Sequence, residues 1–208
     1  MEVSVFNIKG EDTGRKVSLN DTVFGIEPND HAIYLDVKQY LANQRQGTHS
    51  SKGRSQLSGS TRKLGRQKGG GGARPGDIKS GVRVGGGRMF GPTPRDYSFK
   101  LNKKVKKLAR KSALTYRLSD NGIIVVDNLM FDDVKTRNII ELLDNFKLSN
   151  KKMILVVKEP NKNIYLSSRN LRDVKVINAC DLSTYDIMWA STLMFEKDSI
   201  DVLEKIIA

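Results

Sequence analysis

The residues with the most definite chemistry form one run, Arg62-Lys63-Leu64-Gly65-Arg66-Gln67-Lys68-Gly69-Gly70-Gly71-Gly72-Ala73-Arg74. Its lysines and arginines, with no acid among them, suit the neutralisation of phosphates, and planar guanidinium groups also stack on unpaired bases. Its glycines let a backbone come close to a sugar-phosphate chain and take positive φ. The same chemistry continues on both sides. Arg45, Gln46, Thr48, Lys52 and Arg54 precede the run, and Lys79, Arg83, Arg88, Arg95, Lys100, Lys103 and Lys104 follow it. A solvated linker is the competing reading, but linkers are seldom so one-sided in charge.

The charge is confined to this stretch. Residues 43–104 carry 15 Lys and Arg against two acids, Asp77 and Asp96, whereas the rest holds 21 basic and 21 acidic residues. The whole net charge of +13 therefore belongs to one segment, which also holds 14 of the 18 glycines. Its few apolar residues (Leu57, Leu64, Ile78, Val82, Val84, Met89 and Phe90 among them) show neither a helical nor an alternating period. Such a segment buries too little apolar surface to offset the entropy of ordering and is expected to be disordered alone. So long a structureless loop inside a domain points to function. The surplus charge selects a polyanion. An anionic membrane fits poorly, because the stretch has no amphipathic helical face. Duplex DNA is usually read by a regular helix or ribbon, so an irregular arm better suits the crevices of folded RNA.

Other chemistries are poorly represented. There is no Gly-x-x-x-x-Gly-Lys-Ser/Thr, and Gly85-Gly86-Gly87 runs into Arg88-Met89-Phe90-Gly91-Pro92 rather than opening a phosphate-binding helix. His31, His49 and Cys180 have no metal-ligand spacing. His31 reads as a surface residue at a helix start and His49 as a polar contact in the loop. Cys180 reads as a small buried hydrophobe, Asp132-Asp133 as a helix start, and Trp189 and Phe195 as core. Neither an enzyme activity nor a cofactor, metal or small-molecule substrate is expected. A single cysteine excludes an internal disulfide, and no apolar run approaches the roughly 18 residues of a membrane span. A cytoplasmic location without a membrane partner is the expectation.

The elements that must carry this arm alternate. Val3–Ile8 has the period of a half-buried strand. Asn29 or Asp30 caps a helix with Ile33, Val37, Tyr40 and Leu41 on its apolar face, and Asn102 caps another with Val105, Leu108, Ala109, Ser112, Ala113 and Tyr116. Ile123–Val126 and Met153–Val157 are continuous apolar runs of the kind buried on both faces. Between them a helix is expected with Ile139, Ile140, Leu142, Leu143 and Phe146. A short helix near Ile164–Leu171, strands at Val174–Ile177 and Thr192–Phe195, and a final helix capped by Asp198 complete the pattern. This predicts an α/β fold: a single three-layer domain, residues 1–42 and 105–208, with a mostly parallel sheet flanked by helices. An extended basic RNA-binding loop, residues 43–104, interrupts it.

The pieces Arg45-Gln46-Gly47-Thr48, Arg66-Gln67-Lys68-Gly69, Ala73-Arg74, Ile78-Lys79-Ser80, Gly86-Gly87 and Asn102-Lys103-Lys104 resemble the bacterial large-subunit ribosomal protein L4 family. Ile123–Val126 and Ser168-Arg169-Asn170-Leu171 extend the resemblance over essentially the whole chain. The resemblance implies a structural constituent of the large ribosomal subunit that binds 23S ribosomal RNA early in assembly, next to neighbouring large-subunit proteins. It also implies that the arm threads between RNA domains. Its tip, Arg66, Gln67, Lys68, Gly69, Gly70, Gly71, Gly72 and Arg74, would line the polypeptide exit tunnel and meet the nascent peptide. Gly65 and Gly72 stand where members of that family often carry an aromatic and a basic residue. The alternative is a nucleic-acid-processing factor or regulator that uses the same loop; with the α/β domain as an active site, it predicts a polar cleft with convergent ionisable groups at the strand ends.

Overall fold

The computed structural model describes residues 1–131 and 133–207. They form two compact units, one from Met1–Leu41 and residues 100–207, the other from Ala42–Phe99. The first contains one sheet. Strand β1 is Glu2–Phe6, β2 Asp12–Ser18, β3 Ile123–Val126, β4 Met153–Val157, β5 Val174–Asn178 and β6 Thr192–Glu196. The strand order is β2-β1-β3-β6-β4-β5. Only the β1–β2 pair is antiparallel; the others run parallel.

Helices cover both faces. They are α1 Asp21–Phe24, α2 Asp30–Asn43, α3 Lys103–Ser119, α4 Thr136–Asn145, α5 Lys162–Ser168, α6 Thr184–Trp189 and α7 Lys197–Ile207. The two-residue period of each strand sorts its side chains between two cores. Val125, Ile154, Val156, Leu193 and Phe195 point to one, where Phe24, Ile33, Ala113, Ile187, Ile200 and Leu203 of the helices meet them. Val126, Met153, Leu155, Val157 and Met194 point to the other, against Ile139, Leu142 and Leu143 of α4 and Ile164 of α5. The expected three-layer α/β domain with a mostly parallel sheet is the observed one.

Several local expectations need correction. β1 ends at Phe6, because Asn7–Gly10 turns the chain: the Gly10 N–H donates to the Asn7 carbonyl at 2.9 Å. The turn leads into β2, a strand whose residues are almost all exposed and polar, so it has no hydrophobic signature. Its ladder to β1 (Val3 opposite Val17, Ser4 opposite Lys16) and the Thr13 hydroxyl, donating to Val5 O at 2.7 Å, hold it. Helices α1 and α6 are likewise too short to show a period. Asn29 is the residue that caps α2, accepting from Ala32 N–H at 2.9 Å. Leu41, Leu108 and Ile140 sit on exposed flanks of their helices rather than in a core. Helix α7 opens at Lys197, which puts Asp198 inside its first turn, and α5 spans Lys162–Ser168 rather than reaching Leu171.

Cys180 is exposed, not buried. It lies just past β5, where Asp181 N–H donates back to Asn178 O at 3.0 Å, and the neighbouring Ala179 takes the inward position. Asp133 precedes α4 instead of starting it and pairs with Lys135 at 2.7 Å; Asp132 lies outside the described residues. Phe195 is core, and Trp189 packs half-buried against the same core cluster, with the Lys175 ammonium 4.2 Å from its ring centre.

Candidate nucleic-acid interface

The unit Ala42–Phe99 has almost no regular structure: past the end of α2 its one helical element is a single 3-10 turn at Arg54–Gln56. Backbone pairs between its outgoing and returning legs give it order instead. Arg95 N–H donates to Gly47 O at 3.1 Å, Ser51 N–H to Pro92 O at 3.0 Å, Arg88 N–H to Lys52 O at 2.9 Å and Leu64 N–H to Gly76 O at 2.9 Å. The arm is thus a long irregular hairpin in three zones.

At the neck, Tyr97 gathers two cations. The Arg45 guanidinium lies 3.8 Å and that of Arg95 4.4 Å from its ring centre, with the His49 Nε2 3.4 Å from its hydroxyl. A hydrogen bond from Arg95 holds the phenol below its ordinary pKa; burial opposes it, and the charges of Arg95 and Arg45 add to the lowering. Gly47 (φ +63°) passes so close that an added Cβ would collide with Arg95 O and come within 2.8 Å of the Tyr97 ring. Gln46, Gly47, Thr48, Pro94, Arg95 and Asp96 line a shallow open pocket there. Asp96 is held below its ordinary pKa by the Ser98 N–H and hydroxyl, each at 2.8 Å.

In the middle zone the arm closes on itself around Asp77, an acid 3% exposed in a strongly cationic unit. Arg54 donates to its Oδ2 through Nε at 3.2 Å and Nη2 at 2.7 Å, while Oδ1 is buried without a partner. Gly87, whose N–H donates to Lys79 O at 3.0 Å, packs directly on the Arg54 backbone; a Cβ there would collide with Arg54 N. This knot presents Lys52, Arg83 and Arg88 to solvent and leaves Lys79 half-buried.

The Leu64–Gly76 pair closes the terminal loop. Arg62 and Lys63 stand just before it, and Arg66, Gln67, Lys68 and Arg74 lie within it, all exposed. Lys63 bonds to Gln67. Gly69, Gly70 and Gly71 have open space around them. Lys100 and the first-turn residues Lys103 and Lys104 of α3 belong to the other unit, all three exposed.

Comparison with known sequences gives this arrangement a lineage. The sequence model of the Ribosomal protein L4/L1 family matches residues 17–206. The chain belongs to this family. Three similar relatives carry the name large ribosomal subunit protein uL4. That of Phocaeicola vulgatus is 61% identical over 208 residues, covering both chains completely. That of Parabacteroides distasonis is 63% identical over 205 residues, 99% of this chain and 98% of the relative. That of Bacteroides fragilis is 60% identical over 207 residues and covers 100% of both.

In this L4/L1 family member two site residues escape a reading based on cations alone. Tyr97 and Asp77 carry no positive charge, yet each organises guanidinium groups that do. The signals were present: an aromatic two residues from Arg95, and one of just two acids in the basic stretch. Gly65 has nothing within 4 Å of an added Cβ and no positive φ, so packing does not demand a glycine there. An aromatic ring would fit that position of the arm.

Proposed function

We propose that this chain is a cytoplasmic structural constituent of the large ribosomal subunit, whose arm binds 23S ribosomal RNA early in subunit assembly. The arm threads between RNA domains, and its tip, Arg66–Arg74, lines the exit tunnel beside the nascent peptide and neighbouring large-subunit proteins. One observation carries this reading: a full-length uL4-like sequence in which the whole charge surplus lies on an arm with no hydrophobic core of its own. Cations on such an arm displace counterions from phosphates, so affinity falls steeply with salt. The arm's partly paired legs lower the entropy lost on binding.

The processing-factor alternative predicts a polar cleft at the strand ends, and a cavity of about 390 Å³ does lie beyond β4 and β6. Several of its polar groups are engaged in structure. Glu196 accepts from Lys158 N–H at 2.9 Å, and Asp198 pairs with the Lys158 ammonium at 3.6 Å. Membership of a ribosomal protein family favours the structural role over chemistry in this cavity. The test is fractionation of cell extract: the protein is expected to sediment with large subunits after a high-salt wash. Release into the soluble fraction would overturn the assignment.

A further inference from the structure

The middle zone of the arm exposes an unusual set of apolar side chains. Ile78, Val82, Val84, Met89 and Phe90 all face solvent, and Phe90 is 102% exposed. Phe90 also has φ +52°, a left-handed conformation that a bulky side chain rarely adopts. The backbone on either side imposes it. Arg88 N–H is tied to Lys52 O and Pro92 O to Ser51 N–H, and between them Gly91 packs against the Ser51 hydroxyl. Strain that the surroundings over-determine is a mark of a functional position. Here it holds an aromatic ring out in water, where hydrophobicity alone would not keep it.

The neighbourhood says what the ring meets. Lys52, Arg83 and Arg88 are exposed in the same zone, and its sole acid, Asp77, is buried and engaged by Arg54. An isolated aromatic among cations, with no accessible carboxylate, matches an unpaired nucleotide: the ring for the base and the cations for its phosphates. We propose that Phe90 stacks on an unpaired base of the RNA that the arm binds, with Arg88 and Arg83 on the adjoining phosphates. This rests on the RNA-binding reading of the arm and adds to it a position where affinity comes from base stacking rather than charge.

Full-length protein and its Phe90 and Arg88 variants are titrated with 23S ribosomal RNA transcribed in vitro, between about 50 and 200 mM salt. Phe90→Ala is expected to weaken binding about 5- to 150-fold at every salt, without changing the slope of log affinity against log salt. Phe90→Trp keeps the affinity. Arg88→Gln lowers that slope by about one. Phe90 is fully exposed and contributes no packing to the fold, and unchanged circular dichroism checks this. Phe90→Ala binding as tightly as the parent overturns the proposal. So does Phe90→Leu at parental affinity, which would show that the RNA needs only an apolar side chain there and not an aromatic face. A parent protein with no salt-sensitive RNA binding refutes the arm's role itself, a result distinct from either of these.

Discussion

Excising the arm separates its contribution from that of the globular unit. Phe99 N–H donates to the Asn43 side chain at 3.3 Å, so the two ends of the arm meet there. Residues 44–98 can therefore be replaced by a short Gly/Ser linker without stretching α2 away from the returning chain. Every residue of both core clusters lies outside the deleted segment. Folding stability should hold or rise, since about three halvings of loop length relieve at most ~2 kcal/mol of closure entropy. The excision removes 12 Lys and Arg with Asp77 and Asp96, so net charge falls by ten. If six to ten of those cations engage phosphates, the parent protein loses about 10³- to 10⁵-fold in RNA affinity between about 50 and 200 mM salt. The excised protein should bind weakly at the low end and show most of that dependence gone. Filter binding at several salt concentrations, with urea denaturation alongside, reads both quantities. An excised protein that folds and keeps the parental salt slope would refute the reasoning, because the phosphate contacts would then lie on the globular unit.

Three further outcomes follow from named contacts. Asp77→Ala removes a negative charge, which by counterion arithmetic alone should tighten RNA binding; loss of the Arg54 clasp should instead weaken it about fivefold, roughly the 1 kcal/mol of a charge-assisted bond to a mostly exposed arginine, and tighter binding by the variant would show that the clasp is idle. Leu142→Ala empties a fully buried site between α4 and the sheet and should cost about 2–5 kcal/mol in urea denaturation, with unfolded-state effects excluded if the denaturant slope is unchanged. The Tyr116 hydroxyl donates to Asp30 at 2.7 Å, and this bond, then burial and the Asp30 charge, raise the phenol pKa. The folded state thus holds that proton more tightly than the unfolded one, so the contribution is complete below the ordinary phenol value near 10 and disappears as pH rises through the raised one. Tyr116→Phe should therefore be less stable than the parent at neutral pH and match it at high alkaline pH; a stability gap that widens with alkalinity would contradict the sign.

Much of the globular unit was legible because its signals are local. Met153–Val157 reads as a buried strand from five consecutive apolar residues, and α3 and α4 read as helices from their periods. β2 was illegible for the opposite reason: Asp12–Ser18 is polar and exposed, and only pairing with β1 makes it a strand. Cys180 was misassigned because residue type predicts average burial, whereas the turn after β5 decides that Ala179 points inward and Cys180 outward. In the arm, the cations could be found from charge alone. The groups that arrange them could not, since Asp77 meets Arg54 across 23 residues and Tyr97 meets Arg45 from opposite legs of the hairpin.

The order of residues along the chain determined, with no help from folding, that a neutral α/β unit and a cationic, glycine-rich arm share one polypeptide. Charge and apolar content are sums over neighbours, and sums need no third dimension. Tertiary structure alone decided which strand face meets which helical layer, that Asp77 is buried beneath Arg54, and that Phe90 is held outward in a left-handed backbone. Each of those depends on contacts between distant residues, and such contacts exist only once the chain has paid the entropy of bringing them together.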